Sequence, residues 1–374
     1  MFCYSFHDMR NNAPLFTVAC LAFLATQTTL GQPSMPWPAP SADPLRFASL
    51  PLDIDAGAMP AAPGWTVSAT TSYFNTWYLS WHPGAIHREL GREGLPLTSD
   101  ELRTLEQRHP NDAIYFADLE GWRADVRLSL GLGRGFLITV DVPWVDTTAP
   151  HWDAVAERIH SFFQAGPGGR ELFPRSRNAL YVRSKQGYLE RLDGLDASGI
   201  GDIAVSLAGP LGRWLGGEHR WLFALEAPTG ERDTLRGSGG WDAGVRWLGR
   251  WRWEKSELTG ALGYTRLDGG GSFLGVERSD TWHAAAAFRF SLGGGTAARV
   301  IGRLESSPLA GFTDAKVGDP GFVLTAGIRR EVGDGWVAFD FGENYPLVGV
   351  TPDYTFHLSA GLRFGAGPAV EVGR

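Results

Sequence analysis

From Trp65 onward the chain alternates apolar and polar residues with a period of two. The final run shows it best: Tyr354, Phe356, Leu358, Ala360, Leu362 and Phe364 share one face, and Asp353, Thr355, His357, Ser359, Gly361 and Arg363 share the other. Successive side chains of a strand point to opposite sides of a sheet, so each such run reads as a strand with one apolar and one polar face. The same reading sets Trp241, Ala243, Val245, Trp247 and Trp251 against Asp242, Gly244, Arg246 and Arg250. It sets Trp282, Ala284, Ala286, Phe288 and Phe290 against His283, Arg289 and Ser291, and Phe322, Leu324, Ala326 and Ile328 against Thr325, Gly327 and Arg329. Twelve strands are predicted, at 65–79, 114–130, 136–145, 200–209, 219–228, 240–251, 257–266, 281–291, 297–305, 321–331, 336–342 and 353–364. Most have about the ~9–11 residues that a tilted membrane strand needs.

The connections sharpen the pattern. Short Gly-rich or polar turns at 131–135, 252–256, 292–296 and 332–335 alternate with longer segments at 80–113, 146–199, 229–239, 267–280, 306–320 and 343–352; 210–218 is the loosest of the short set. This is the pattern of an all-β, up-and-down antiparallel transmembrane barrel with short periplasmic turns, long extracellular loops carrying short helices, and both termini periplasmic. No repeat of propeller-blade length is found. Trp65, Tyr73, Trp77, Trp122, Trp144, Trp221, Trp241, Trp251, Trp253, Tyr264, Trp282, Trp336 and Tyr354 fall mostly near strand ends, where interfacial aromatic girdles are expected. Phe364 ends the last strand as an assembly signal for the barrel-assembly machinery does, although 365–374 follow as a tail.

Residues before the barrel read differently. Ala13 to Ala25 is an apolar run of signal-peptide length, giving 1–31 as a signal peptide that is removed. Both cysteines, Cys3 and Cys20, fall inside it, so disulfides, thiolate metal sites and a cysteine nucleophile are not expected in the mature chain. Residues 32–64 are rich in Pro, which excludes helix and interior strand, and form a linker or a plug tucked into the barrel mouth. Barrel then occupies 65–364.

Composition changes little. A net charge of −7 argues against nucleic acid as a partner. No stretch after residue 31 is long and apolar enough for a membrane helix, which does not bear on a barrel whose strands are half polar.

Several short motifs resemble a family of outer-membrane proteins designated domain of unknown function 3187. They are Asp118-Leu119-Glu120, Val142-Pro143, Trp152 to Phe163 with His160, Arg177-Asn178, Gly199 to Asp202, Pro228-Thr229-Gly230 and Gly237-Ser238-Gly239. The resemblance covers most of the mature chain and implies a barrel in the outer membrane of a Gram-negative bacterium. It implies no activity. His160, Arg177 and Asn178 are its loop candidates.

Catalytic signatures are missing from the sequence. No serine has glycine at both −2 and +2, there is no H-E-x-x-H, and the glycine clusters lack a following Lys-Ser/Thr. No catalytic residue, cofactor or metal ligand is assigned. The polar faces are more informative: Arg123, Asp125, Arg127, Asp141, Asp202, Glu226, Asp242, Arg246, Arg250, Arg289, Arg299, Arg303, Arg329, Asp340 and Arg363 point into the lumen on this register. Buried charges must be paired or hydrated, so pairing across a narrow lumen is expected, leaving either a small eyelet or a nearly closed rod. In the loops, Thr98 to Glu101 form a capping box before a short helix. The stripe Trp152, Val155, Ala156, Ile159, Phe162 and Phe163 has helical spacing. Arg170, Arg175, Arg177, Arg183, Lys185 and Arg191 form a basic run suited to lipopolysaccharide phosphates.

The expectation is therefore a monomeric, porin-like outer-membrane barrel surrounded by lipid and lipopolysaccharide. Its role is a narrow channel or transporter for a small polar or charged solute, or a structural one at the surface. The alternatives are a lipid-acting hydrolase, which needs a Ser/His pair at a rim of the barrel, and a secreted soluble β protein.

Overall fold

Half of every strand in this chain is apolar on a face that the polar half cannot cover. Closing the sheet on itself turns that face outward all round and leaves no unpaired edge. A computed structural model of the chain describes residues 37–38, 40–48, 50, 63–148, 158, 169–175, 177–185, 188–268, 272–273, 276–312, 316–344 and 352–365. The signal peptide 1–31, the helical-stripe residues Trp152, Val155, Ala156, Ile159, Phe162 and Phe163 with His160, and all but the first residue of the tail 365–374 lie outside them.

Twelve antiparallel strands form the closed wall: β1 (Gly64–Leu79), β2 (Ile114–Gly133), β3 (Phe136–Asp146), β7 (Ile203–Trp214), β8 (Gly217–Ala227), β9 (Asp242–Arg252), β10 (Ser256–Leu267), β13 (Thr281–Gly293), β14 (Thr296–Glu305), β15 (Gly321–Val332), β16 (Gly335–Asn344) and β17 (Tyr354–Phe364). β17 returns to pair with β1 from Trp65↔Phe364 to Asn75↔Tyr354, which closes the ring. Outside the wall, β4 (Ala179–Arg183) and β5 (Tyr188–Arg191) extend β2 beyond the barrel, β6 (Ser198–Ile200) caps β3, and β11 (Ser272–Phe273) pairs with β12 (Val276–Glu277). In the first loop stand two helices, α1 (Trp81–Leu90) and α2 (Ser99–Arg108). The capping box predicted for α2 is present, with Glu101 N–H donating to Thr98 and the Glu101 carboxylate accepting from the Thr98 N–H at 2.8 Å.

Loops and turns segregate to opposite ends. At the turn end β7 and β8 are joined by Leu215 and Gly216 alone, both at positive φ, so the expected 210–218 connection is a tight hairpin. The strand there runs to Trp214 rather than ending at 209. Pro210 has no amide to donate and sits in a bulge between Pro210 and Gly212, which the sequence reading took for a strand end.

Exposed Val126, Leu128, Phe223, Leu225, Val245, Leu262, Phe288, Ile328, Phe339 and Leu358 belt the outside of the wall. Exposed aromatics flank the belt, with Trp65, Trp214 and Trp253 at the turn end and Trp144, Trp241, Tyr264 and Trp282 at the loop end. Four residues predicted for these girdles are buried instead, two of them, Tyr73 and Tyr354, packed together with Trp122, Phe341 and Phe356. Trp336 is buried on the lumen face of β16, and Trp77 is buried in the loop core with Ile86, Leu102, Leu105 and Phe173.

Candidate functional site: a charged lumen threaded by the N-terminal segment

The lumen face carries the charges the sequence placed there, but they pair along the wall rather than across it. Arg123 and Asp125 pair within β2 at 2.8 Å, and Arg127 meets its register partner Asp141 on β3 at 2.5 Å. Arg299 on β14 and Asp340 on β16 form a two-point pair, at 2.9 and 3.0 Å, that passes over β15. Gly327 is the register partner of both, and a Cβ there would overlap the Asp340 carboxylate. The same device recurs where Arg246 Nε donates to His283 Nε2 at 2.9 Å over Gly263, whose added Cβ would strike the His283 ring. An inward glycine thus lets side chains two strands apart meet.

The remaining predicted lumen residues take separate places. Arg303 lies 3.9 Å from Glu305, Arg329 lies 3.4 Å from Glu331 with its guanidinium over the Trp336 ring, and Arg250 lies 3.6 Å from Glu257. Arg289 and Arg363 are half-buried near the turn end. Glu226 is buried beside the loop-end acids. Asp242 is paired at 2.8 and 3.0 Å with Arg278, a loop residue the strand pattern did not reach. Asp202 anchors a loop, accepting from Gly230 N–H at 2.7 Å and from the Ser238 N–H. Asn178 is another tether: it accepts from Glu120 N–H at 2.7 Å and donates to Thr147 O at 2.8 Å. Arg170, read as part of a phosphate-facing run, is instead buried, 2.7 Å from Asn75 and 3.5 Å from Asp353. Arg177 is half-buried in the loops, beside an apolar pocket lined by Phe116 and Phe173.

The described residues of the Pro-rich segment between 37 and 50 lie in the lumen. Trp37 Nε1 donates to Asp340 at 3.0 Å, its ring lies 4.1 Å beneath the Arg299 guanidinium, and Arg299 donates to the carbonyls of Trp37 and Pro38. Trp37 packs with Ala297, Trp336 and Ala338 near the turn end. The chain then climbs, since Ser41 donates to Glu305 at 3.0 Å and Arg46 pairs with Asp43 at 2.8 Å while donating to Ser306 O. At the apex Leu45 enters an apolar cluster with Leu119, Leu180, Leu235, Leu309 and Phe312, contributed by β2 and several loops. The chain turns back through Phe47, edge-on to Phe74 and under Arg123, to Leu50 against Leu137 and Leu222. The described residues between 37 and 50 thus trace an inverted U whose two limbs reach toward the turn end.

Small spaces remain on either side of it. One, with a volume of about 30 Å³, is bounded by Pro40, Leu50, Arg123, Asp125, Asp141, Asp202 and Glu226, which is room for one or two waters. Another of about 20 Å³ lies between Pro40–Asp43 and Arg303, Glu305 and His357. Ser72 and His357 are hydrogen-bonded at 2.8 Å, but on the lumen face and buried, away from the rim where a lipid-acting pair is needed.

The strand signal of 37–50 is nil, so the sequence pattern left the segment as linker or plug. Trp37, Arg46 and Phe47 within a proline-rich stretch were the available sign, because a solvated linker has little use for two large aromatics.

A closed twelve-stranded wall, apolar outside and charged within, defines the class: an outer-membrane-type transmembrane β-barrel. The chain is similar to the crystal structure of an outer membrane channel from Pseudomonas putida F1, with a TM-score of 0.51 and 12% identity over 83% of this chain and 98% of that one. The KdgM porin aligns with a TM-score of 0.39 and 6% identity over 80% of this chain and 99% of that one. No family model and no curated protein matches the chain.

Proposed function

We propose that the chain is an outer-membrane channel for small polar or charged solutes, closed at rest by its own N-terminal segment. The observation that carries this is the Trp37–Asp340–Arg299 triad, which docks an otherwise irregular segment onto a buried ion pair inside the barrel. A purely structural barrel needs no such occupant, since lumen charges that already pair along the wall satisfy one another. In this reading the turn end faces the periplasm, the loops face outward, and the barrel is a monomer. Exposed Arg175 meets lipopolysaccharide phosphate, Phe364 presents the final strand to the assembly machinery, and the motif set supports a relationship to family 3187. The P. putida structure, a channel by its description, is consistent with this use of the fold.

The test is planar-bilayer recording of the purified mature chain beside a variant lacking residues 37–50. The deletion is expected to give steady conductance steps that the full chain shows rarely. Silence from both, with the barrel intact by heat-shifted gel mobility, would replace the channel reading with a structural one.

A further inference from the structure

The first loop brings together three groups that the lumen does not use. Asp112 Oδ2 lies 3.1 Å from His82 Nε2 and 3.4 Å from His109 Nδ1. A donor atom from each of the three residues lies within 4.8 Å of the others. Around a four-coordinate Zn²⁺, bonds of ~2.0–2.2 Å set neighbouring ligand atoms about 3.3–3.5 Å apart. Two edges of such a polyhedron are therefore already in place.

Local structure explains how they meet. Ser80, the residue before α1, puts its Oγ 3.4 Å from His82 Nδ1 and accepts the Tyr115 N–H at 3.1 Å. That hydroxyl can accept from Nδ1–H, the tautomer that a metal at Nε2 requires, whereas without an ion it is Nε2–H that donates to Asp112. His109 is the C-cap of α2, and leaving helical geometry there swings its ring to 4.6 Å from that of His82. Trp81, tilted against His82 at 4.2 Å and edge-on at 5.3 Å to His109, covers one flank. His82 is buried and Asp112 is exposed, so the trio has a closed base and an open top.

We propose that His82 Nε2, His109 Nδ1 and the Asp112 carboxylate form a site for a divalent transition-metal ion of the zinc class, with a fourth position open to water. Two imidazoles and one carboxylate are the donor set such ions take, and their single open position is the arrangement of an exchangeable site. A bound ion joins the start of α1 to the end of α2 and ties the first loop together. The strand pattern gave no hint of it, because the ligands are separated by 27 and 3 positions and only His109-x-x-Asp112 is local.

A hydrogen-bonded trio without metal would share this geometry, so the test is the metal itself. The tag-free full chain in detergent is dialysed against Zn²⁺, its metal content is measured, and affinity is taken by titration calorimetry. One ion per chain is expected. His109→Ala and Asp112→Asn, both at accessible positions, should each weaken binding about 100-fold or more, since loss of outer-shell partners alone costs ~10–100-fold. Ser80→Ala should fall in that smaller range. Absence of retained zinc in the wild-type chain, or equal retention by both variants with the barrel intact, overturns the site.

Discussion

Asp340 is the residue on which the lumen turns, because one buried carboxylate neutralises Arg299 and receives the Trp37 indole. Removing one partner of a buried pair leaves an uncompensated charge, which costs about 3–5 kcal/mol. Asp340→Asn should therefore lower thermal stability in detergent and, because one amide oxygen cannot serve both Arg299 and Trp37, expose the N-terminal segment to protease ahead of barrel unfolding. Unchanged protection would separate the segment from the pair. Asp353 behaves differently. It lies just before β17, and burial together with Glu343 pushes its carboxyl up to about 7 even though Arg170 opposes the shift. The folded chain then holds a proton that the unfolded chain, with a carboxyl near 3.8, has released. Stability from this group is full below about 4 and is lost as pH rises to about 7. Asp353→Asn should match wild type in thermal melts at pH 4 and melt above it at pH 8. A gap that does not grow with pH would count against the assignment.

Among the elements, the wall was legible in the sequence and its occupants were not. Alternation in 353–364 and 281–291 reports a half-buried sheet whatever lies on either side, so strand, face and lumen charge followed directly. The strand predicted at 200–209 runs on to Trp214 because the bulge at Pro210–Gly212 breaks the alternation without ending the pairing. Trp336 misled the reading because aromatic residues near strand ends serve either face. The inverted U of 37–50 has no period at all. Its place is set by contacts to residues some 260 to 300 positions away, which no local pattern encodes. Loop tethers were half visible: Asn178 stood out in a motif, but its use as a strut between Glu120 and Thr147 needed the fold. Asn178→Ala leaves the buried Glu120 N–H without its acceptor, a cost of about 1–3 kcal/mol. Faster amide exchange at Glu120 and in β4 is expected with barrel melting unchanged, and exchange equal to wild type would deny the tether.

For the whole molecule, the described residues of the N-terminal segment lie inside the lumen with Leu45 in an apolar cluster at its loop end, while the wall around them has no edge to open. In the proposed channel, access comes from moving the segment. In a background with Cys3 and Cys20 replaced by Ser, cysteines at Ser41 and Glu305, whose side chains touch at 3.0 Å, can be joined by a short cleavable bifunctional thiol reagent. Single-channel recording of this protein is the most direct measurement. Cross-linked, it should be silent, and cleaving the link with reductant should bring conductance steps in the same membrane. Equal conductance with the segment locked and released would contradict the account.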